Sequence, residues 1–286
     1  MDMENSFLAV ILVWGVFAGV VFSSVGAAGG ILASFGLISI VGITDPNSVK
    51  PMTQIVVLAT ALVFIPGYLR RSALVWPLGM LLAGGGLIGA WIGSSLSSTY
   101  LTDMKTFRPL FGILTLAIAT QIAWPMFKTW NKNNSGEIAN EGTCSHSVSN
   151  IAVSRLAVSF SYNERDYRIG LWSPFLAGFL ISTIAAVFGV GGGFLLVPYM
   201  SSLLRMPMHI IPATAGIAIT ISLLVSIGNY LSRGANLEMQ VLVFLAAGSI
   251  LGAIIGPFVN DWMKNSWLNI VLFLIILMIG LKYIFV

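Results

Sequence analysis

Charge is what this chain has least of: 8% of its 286 residues are Asp, Glu, Lys or Arg, against about 25% in a water-soluble domain. So few charges cannot cover a globule of this size with a polar surface, and with 57% hydrophobic residues the chain belongs in a lipid bilayer. The single cysteine, Cys144, excludes an internal disulfide framework and a Cys-rich metal site. The two histidines, His146 and His209, cannot supply a zinc metalloprotease pair, and a G-x-S-x-G elbow and a Walker A loop are both missing. Without a nucleophile, metal or cofactor constellation, the chain is expected to be no enzyme and to need no cofactor. Its basic residues are scattered along the chain, which argues against nucleic acid as a partner. The start, Met1-Asp2-Met3-Glu4, is acidic where a secretory signal needs positive charge, so the first apolar stretch is expected to remain as a span.

What is present is a series of apolar runs. At about 20 residues per crossing the chain has room for about eight to ten, and none for a separate soluble catalytic domain. Helical segments are predicted at 6–25, 31–43, 52–69, 74–97, 107–127, 172–189, 194–204, 212–231, 239–260 and 267–285, giving an all-α polytopic membrane protein. The segments 31–43 and 194–204 are too short to span, and each follows a Gly-rich stretch. They are predicted to be halves of broken or re-entrant helices. Six of the eight tryptophans (Trp76, Trp124, Trp130, Trp172, Trp262, Trp267) fall near predicted span ends, where interfacial anchors belong.

The chain also repeats itself. Gly26, Gly29 and Gly30 recur 163 positions later as Gly189, Gly192 and Gly193. Pro51, Thr53 and Gly67 recur 161 positions later as Pro212, Thr214 and Gly228. Leu82, Gly85, Gly89 and Gly93 return to the first spacing as Leu245, Gly248, Gly252 and Gly256. Residues 1–127 therefore form a first transmembrane repeat and residues 171–286 a second. A polar linker, 128–170, rich in Asn, Ser, Glu and Arg, joins them; Ile151 to Phe160 is its one candidate for a surface helix. Five segments per half is an odd number, so the halves are expected to be inverted in the membrane. That holds if the first two segments of each half reverse on each other and fails if they make one continuous crossing.

Loop charges orient the bundle. Nine basic residues (Arg70, Arg71, Lys128, Lys132, Arg155, Arg165, Arg168, Arg205, Lys264) fall on one side and five (Lys50, Lys105, Arg108, Arg233, Lys282) on the other. By the positive-inside rule this puts the linker in the cytoplasm and both termini outside.

The candidate site lies at the two glycine stretches, "VGAAGGIL" at 25–32 and "FGVGGGFLLVP" at 188–198. A glycine break exposes the first amides of the following half-helix, whose partial positive charge suits an anion. Close helix packing is the competing reading. Thr53 and its counterpart Thr214 either cap their own helices or offer hydroxyls to a ligand, and the Gln54 amide has no counterpart in the second half. Ser23, Ser24, Ser182 and Thr183, just before the glycines, are weaker candidates. The Gly85-Gly89-Gly93 ladder and its repeat read as scaffold, small residues on one helix face that let backbones approach. Asp45, Asp103, Glu238 and Asp261 fall near span ends, leaving no mid-membrane carboxylate to carry protons, so the coupling ion, proton or sodium, is left open.

The two glycine stretches, the Pro-x-Thr helix starts and the duplicated halves resemble the TauE/SafE sulfite exporter family, also called TSUP, over nearly the whole chain outside the linker. Gly189, Gly191, Gly192, Gly193 and Pro198 match the family pattern. The first half departs from it with Ala27 and Ala28 in the glycine run and Phe35 where the second half has Pro198. The resemblance implies a bacterial inner-membrane transporter of small sulfur-containing anions such as sulfite, thiosulfate, sulfoacetate or other organosulfonates. On that basis Gly29, Gly30, Gly191, Gly192 and Gly193 are expected to meet near the midplane, with Thr53, Gln54 and Thr214 completing a cage and the halves rocking in alternating access. An anion channel and a membrane assembly subunit acting through a protein partner stand as alternatives.

Overall fold

The computed structural model describes residues 2–25, 28–69, 74–130, 149–154, 157–162, 165–204, 206, 210–262 and 265–285. Ten helices account for most of them: α1 (Asp2–Val25), α2 (Gly29–Phe35), α3 (Pro46–Leu69), α4 (Trp76–Tyr100), α5 (Met104–Trp130), α6 (Trp172–Phe188), α7 (Gly193–Pro198), α8 (Ile211–Ser232), α9 (Met239–Trp262) and α10 (Asn265–Phe285). Among the described residues five stretches are long and apolar enough to cross a membrane: Ser6–Ser24, Trp76–Tyr100, Met104–Ala123, Thr214–Ser232 and Met239–Gly256. The protein is a multi-pass, all-α membrane protein. Trp76 and Trp172, at helix starts, are exposed as interfacial anchors should be.

The two short segments are as short as the apolar runs suggest. Seven α-helical residues of α2 widen into a π-helical stretch, Gly36–Val41, and α7 continues in the same way through Tyr199–Leu203. Each rises about 20 Å or less, well under the roughly 30 Å of a bilayer core. Both fold back on the helix before them. A side chain at Gly29 would meet Phe22 and one at Gly36 would meet Trp14, so α2 runs antiparallel to α1. In the second half Gly192 faces Ile181 while Ser173 bonds Tyr199 across 2.8 Å, the same reversal. The chain therefore turns back at each glycine stretch, the condition on which inverted halves depend.

The halves are interlocked. α1 packs along α9, and α4 along α6. Methyl groups built on Gly85, Gly89 and Gly93 would overlap the carbonyls of Phe175, Phe179 and Thr183. Those built on Gly248, Gly252 and Gly256 would run into Leu12, Val16 and the Val20–Ser23 turn. Shifting Leu12, Val16 and Val20 by 163 positions gives Phe175, Phe179 and Thr183, so the two interfaces are copies of one another. The equivalent helices α5 and α10 pack antiparallel: Gly112 meets Ile284, and Gly280 meets Leu116. Two copies of one helix that meet antiparallel are related by an axis across the bundle, which is an inverted repeat.

Three expectations need correcting. Ile151 to Phe160 does not form a surface helix: the linker carries a three-stranded antiparallel sheet, β1 (Ser149–Val153), β2 (Ala157–Tyr162) and β3 (Arg165–Gly170), ordered β1-β2-β3. The alternation of Val158 with Phe160 and of Tyr167 with Ile169 has the strand period of two. Val158, Phe160 and Ile169 are buried in one cluster with Leu78, Met200 and Ile211, so this part of the linker is packed rather than solvated. Second, Pro51 is not at a helix start. Asp45 caps α3 by accepting from the Asn47 amide and the Ser48 hydroxyl, so the helix begins at Pro46 and Pro51 lies inside it. In the second half Pro212 does occupy the first turn of α8. Third, Lys50 is not a loop cation, because its side chain is fully buried.

Candidate functional site

The second glycine stretch ends α6 with a left-handed residue, Gly189 (φ 73°), and passes a second one, Gly191 (φ 75°), before α7 begins. Glycine is suited to both, since a left-handed L-residue crowds its own carbonyl. In the first half Ala28 takes the place of Gly191 and still adopts φ 68°, alone among the described non-glycine residues. The fold thus holds the symmetric turn against the preference of the side chain. Gly26 and Ala27 lie outside the described residues.

The two breaks touch. A methyl on Gly30 would overlap the backbone of Val190, the residue between the two left-handed glycines. Beside this junction lies a narrow cavity with room for about one water in the present conformation, with Gln54, Ala185, Gly192, Ser182, Ser222 and Ser226 among its lining residues. Ser222 is near the middle of α8, so the cavity is at mid-depth in the bundle. The Ser182 and Ser222 hydroxyls bond each other at 3.0 Å. Gln54 Oε1 and Ser226 Oγ are buried with no hydrogen-bond partner among the described residues. Leaving a buried polar atom unmade costs about 1–3 kcal/mol, so both atoms are short of a partner that a water or a small polar solute would supply.

Of the residues singled out in the sequence, Gln54 and Gly192 line this cavity, and so does Ser182 from the weaker set. Gly30 forms the contact between the breaks, Gly29 lies against Phe22, Gly191 faces Val57, and Gly193 is the buried first residue of α7. Thr53 and Thr214 are elsewhere. Thr53 Oγ1 pairs with Ser34 Oγ at 3.1 Å, tying α3 to α2, and Thr214 Oγ1 accepts from the Val75 amide at 3.3 Å, tying α8 to the start of α4. Neither hydroxyl lines the cavity, and neither caps its own helix. Ser24 donates to the Gly256 carbonyl, Ser23 to the Val20 carbonyl and Thr183 to Phe179, all scaffold bonds. Ser222 and Ser226 were missed by the sequence reading. Their signal is a four-residue spacing that puts two hydroxyls on one face of α8.

No carboxylate is buried among the described residues whose burial is known. The cavity is uncharged: the Gln54 amide, three serine hydroxyls and the Gly192 backbone share its wall with Ala90, Ala185, Ala186, Ile219 and Leu223. Donors and acceptors of that kind hold a small polar solute or anion by hydrogen bonds without gripping it through a fixed countercharge. Interlocked inverted halves, broken helices and a cavity where the breaks meet are the arrangement of a membrane transporter.

The chain belongs to the TauE/SafE family; residues 11–283 match the family described as Sulfite exporter TauE/SafE. It is 23% identical over 283 residues to the "Probable membrane transporter protein YunE" of Bacillus subtilis (strain 168), covering 96% of this chain and 97% of that protein. It is 23% identical over 242 residues to a "Probable membrane transporter protein" of Xylella fastidiosa (strain 9a5c), covering 85% and 80%. No solved structure matches the chain.

Proposed function

We propose that this transporter is a secondary carrier of small sulfur-containing oxyanions, such as sulfite, thiosulfate, sulfoacetate or other organosulfonates, across a bacterial inner membrane. The linker faces the cytoplasm and both termini face outside. One observation carries the proposal: at the junction of the two breaks, Gln54 Oε1 and Ser226 Oγ are buried and unpartnered in an uncharged cavity shared with the Ser182–Ser222 hydroxyl pair. A compact oxyanion supplies acceptors to the hydroxyls and the Gln54 amide NH2, and hydrogensulfite also supplies a donor to Oε1. The interlocked α1–α9 and α4–α6 pairs are the units that rock about this cavity in alternating access, with Thr53, Thr214, Gly29, Gly30, Gly191 and Gly193 holding the breaks in place around Gln54 and Gly192.

The test has two stages. Thermal stability of the purified protein is measured against sulfite, thiosulfate, sulfoacetate, taurine, sulfate and chloride at matched ionic strength. A ligand specific to the folded state adds about 2.7 kcal/mol at a hundred times its dissociation constant. The stabilising anion is then followed in liposomes, where saturable flux with counterflow identifies a carrier and large non-saturating currents identify a channel. Gly192→Val is the matching variant. Gly192 has ordinary right-handed angles and open van der Waals distances to Leu196 and Ile181, so valine is accommodated by the backbone while it occupies the cavity. Flux is expected to vanish with the protein still in the membrane; unchanged flux would sink the site.

A further inference from the structure

The one buried cation in the described core is unused by the cavity itself. Lys50 is 0% exposed, and its Nζ donates to three neutral oxygens: the Leu101 carbonyl at 2.7 Å, the Ser97 carbonyl at 3.3 Å and Asn47 Oδ1 at 3.3 Å. The ring faces of Phe107 and Tyr230 lie 5.2 Å and 5.9 Å away. Two of the acceptors are at the C-terminal end of α4, where the helix dipole favours a cation. Among the described residues no carboxylate forms an ion pair with it. The Asp45 carboxylate attracts it from a distance while bonded to Asn47 and Ser48, so the buried ammonium is only partly compensated and is held at a cost that an arriving anion lowers.

Its position gives that charge a direction. Lys50 precedes Gln54 by one turn of α3, on the same face and about 6 Å along the axis. The atoms around it also hold the wall of the cavity. Tyr230 donates to the carbonyl of Ala186, a lining residue, at 2.8 Å. Ser97 donates to the Val187 carbonyl at 2.6 Å, and Gly189 is packed against the Lys50 backbone. Lys50 thus stands between the cavity and the Asn47–Leu101 end of the bundle, bonded to the end of α6 through its neighbours.

Resting on the transport reading above, we propose that Lys50 is the gate and the charge-selecting residue of the pathway on that side. In the structure its three donors are satisfied by Leu101, Ser97 and Asn47, and the gate is shut. An anion leaving the cavity exchanges its oxygens for these three acceptors. The exchange releases the end of α4 from the ammonium and loosens the α6 end that Ser97 and Tyr230 hold. A dianion gains more from the exchange than a monoanion does, so the gate favours doubly charged oxyanions.

The experiment uses full-length protein in liposomes, with labelled thiosulfate as the dianion and labelled methanesulfonate as the monoanion. Wild-type protein is expected to carry both, thiosulfate faster. Lys50→Gln is expected to lose thiosulfate flux at least tenfold and methanesulfonate flux less than threefold, with thiosulfate still raising its melting temperature. Lys50→Arg is expected to keep the wild-type ratio within threefold. A merely structural lysine lowers both fluxes together; that result, or an unchanged ratio in Lys50→Gln, overturns the gate while leaving the transport reading intact. If Lys50→Gln does not reach the bilayer, Lys50→Met, neutral and of similar length, takes its place: a selective loss of thiosulfate flux supports the gate and an unchanged ratio overturns it. Absence of flux for both probes with wild-type protein overturns the transport reading itself.

Discussion

The two halves of this protein share one fold and differ in what they enclose. In the second half the cavity lies against Ser182, Ala185, Gly192, Ser222 and Ser226. The repeat puts Gly19, Phe22, Gly29, Ala61 and Ile65 at the corresponding places of the first half. There Phe22 is packed on Gly29, and the hydroxyls have no equivalents. The single polar contribution of α3 is Gln54, whose own counterpart is Ala215, and it is delivered across the pseudo-symmetry axis into the second-half cavity. Duplicated backbone therefore makes two breaks, and side-chain volume and polarity differ between them. A binding site built on an inverted repeat need not be symmetric, because the backbone sets where a cavity can form and the side chains set which one does.

Breaking the junction itself should have the largest effect. Gly30→Val drives a branched side chain into the Val190 backbone, which cannot yield as a flexible side chain would. It is expected to cost more than about 4 kcal/mol, seen as loss of the folded protein in detergent size-exclusion and melting. Exchanging the two halves comes next. Phe22→Ala opens a hydrophobic void in the first half and is expected to cost about 3–5 kcal/mol without creating oxyanion binding, because no hydroxyl lines that void. Ala185→Phe imposes the first-half arrangement on the second; it should abolish anion-dependent stabilisation, and retained stabilisation would show that the cavity is not where the anion binds. Removing polarity alone is milder. Gln54→Ala and Ser226→Ala each are expected to weaken anion affinity about tenfold, roughly 1.4 kcal/mol, in the same melting assay, with no hydrogen bond lost at Gln54 Oε1 or Ser226 Oγ, which make none. The smallest change restores the second-half residue to the first: Ala28→Gly relieves a left-handed alanine and should stabilise by up to about 1 kcal/mol, read as a higher melting temperature with unchanged flux.

Much of this arrangement was legible in the residues. The helices α1 to α10 fall within a few positions of the apolar runs, since a chain with so few charges offers little else to form in a membrane. The repeated Gly85-Gly89-Gly93 and Gly248-Gly252-Gly256 ladders announced two like interfaces, though not that each would join one half to the other. Gln54 stood out as the residue the repeat did not copy. The misses share a physical origin. Lys50 reads as a loop cation beside Pro51 until the C-terminal carbonyls of α4, about fifty residues later in the chain, are brought over it. Thr53 and Thr214 read as caps or ligands, yet their partners, Ser34 and Val75, are supplied by other helices. The linker's polar composition hid the alternation of Val158, Phe160, Tyr167 and Ile169, and a sheet of three short strands gains its buried face only from the helices beneath it.

Composition and periodicity alone determined that this chain lives in a bilayer, that it is two copies of one helical unit, and that each copy breaks at its glycines. These are properties of the sequence alone: hydropathy over about 20 residues, the repeated residue spacing, and the angles open to glycine. Only the tertiary structure decided that the breaks touch at Gly30 and Val190, that the cavity opens on the second-half side, and that Lys50 is buried one turn from Gln54. Each of those depends on which side chains are brought together from segments far apart in sequence, and a free volume or an unpaired hydroxyl exists only after the surrounding helices have packed.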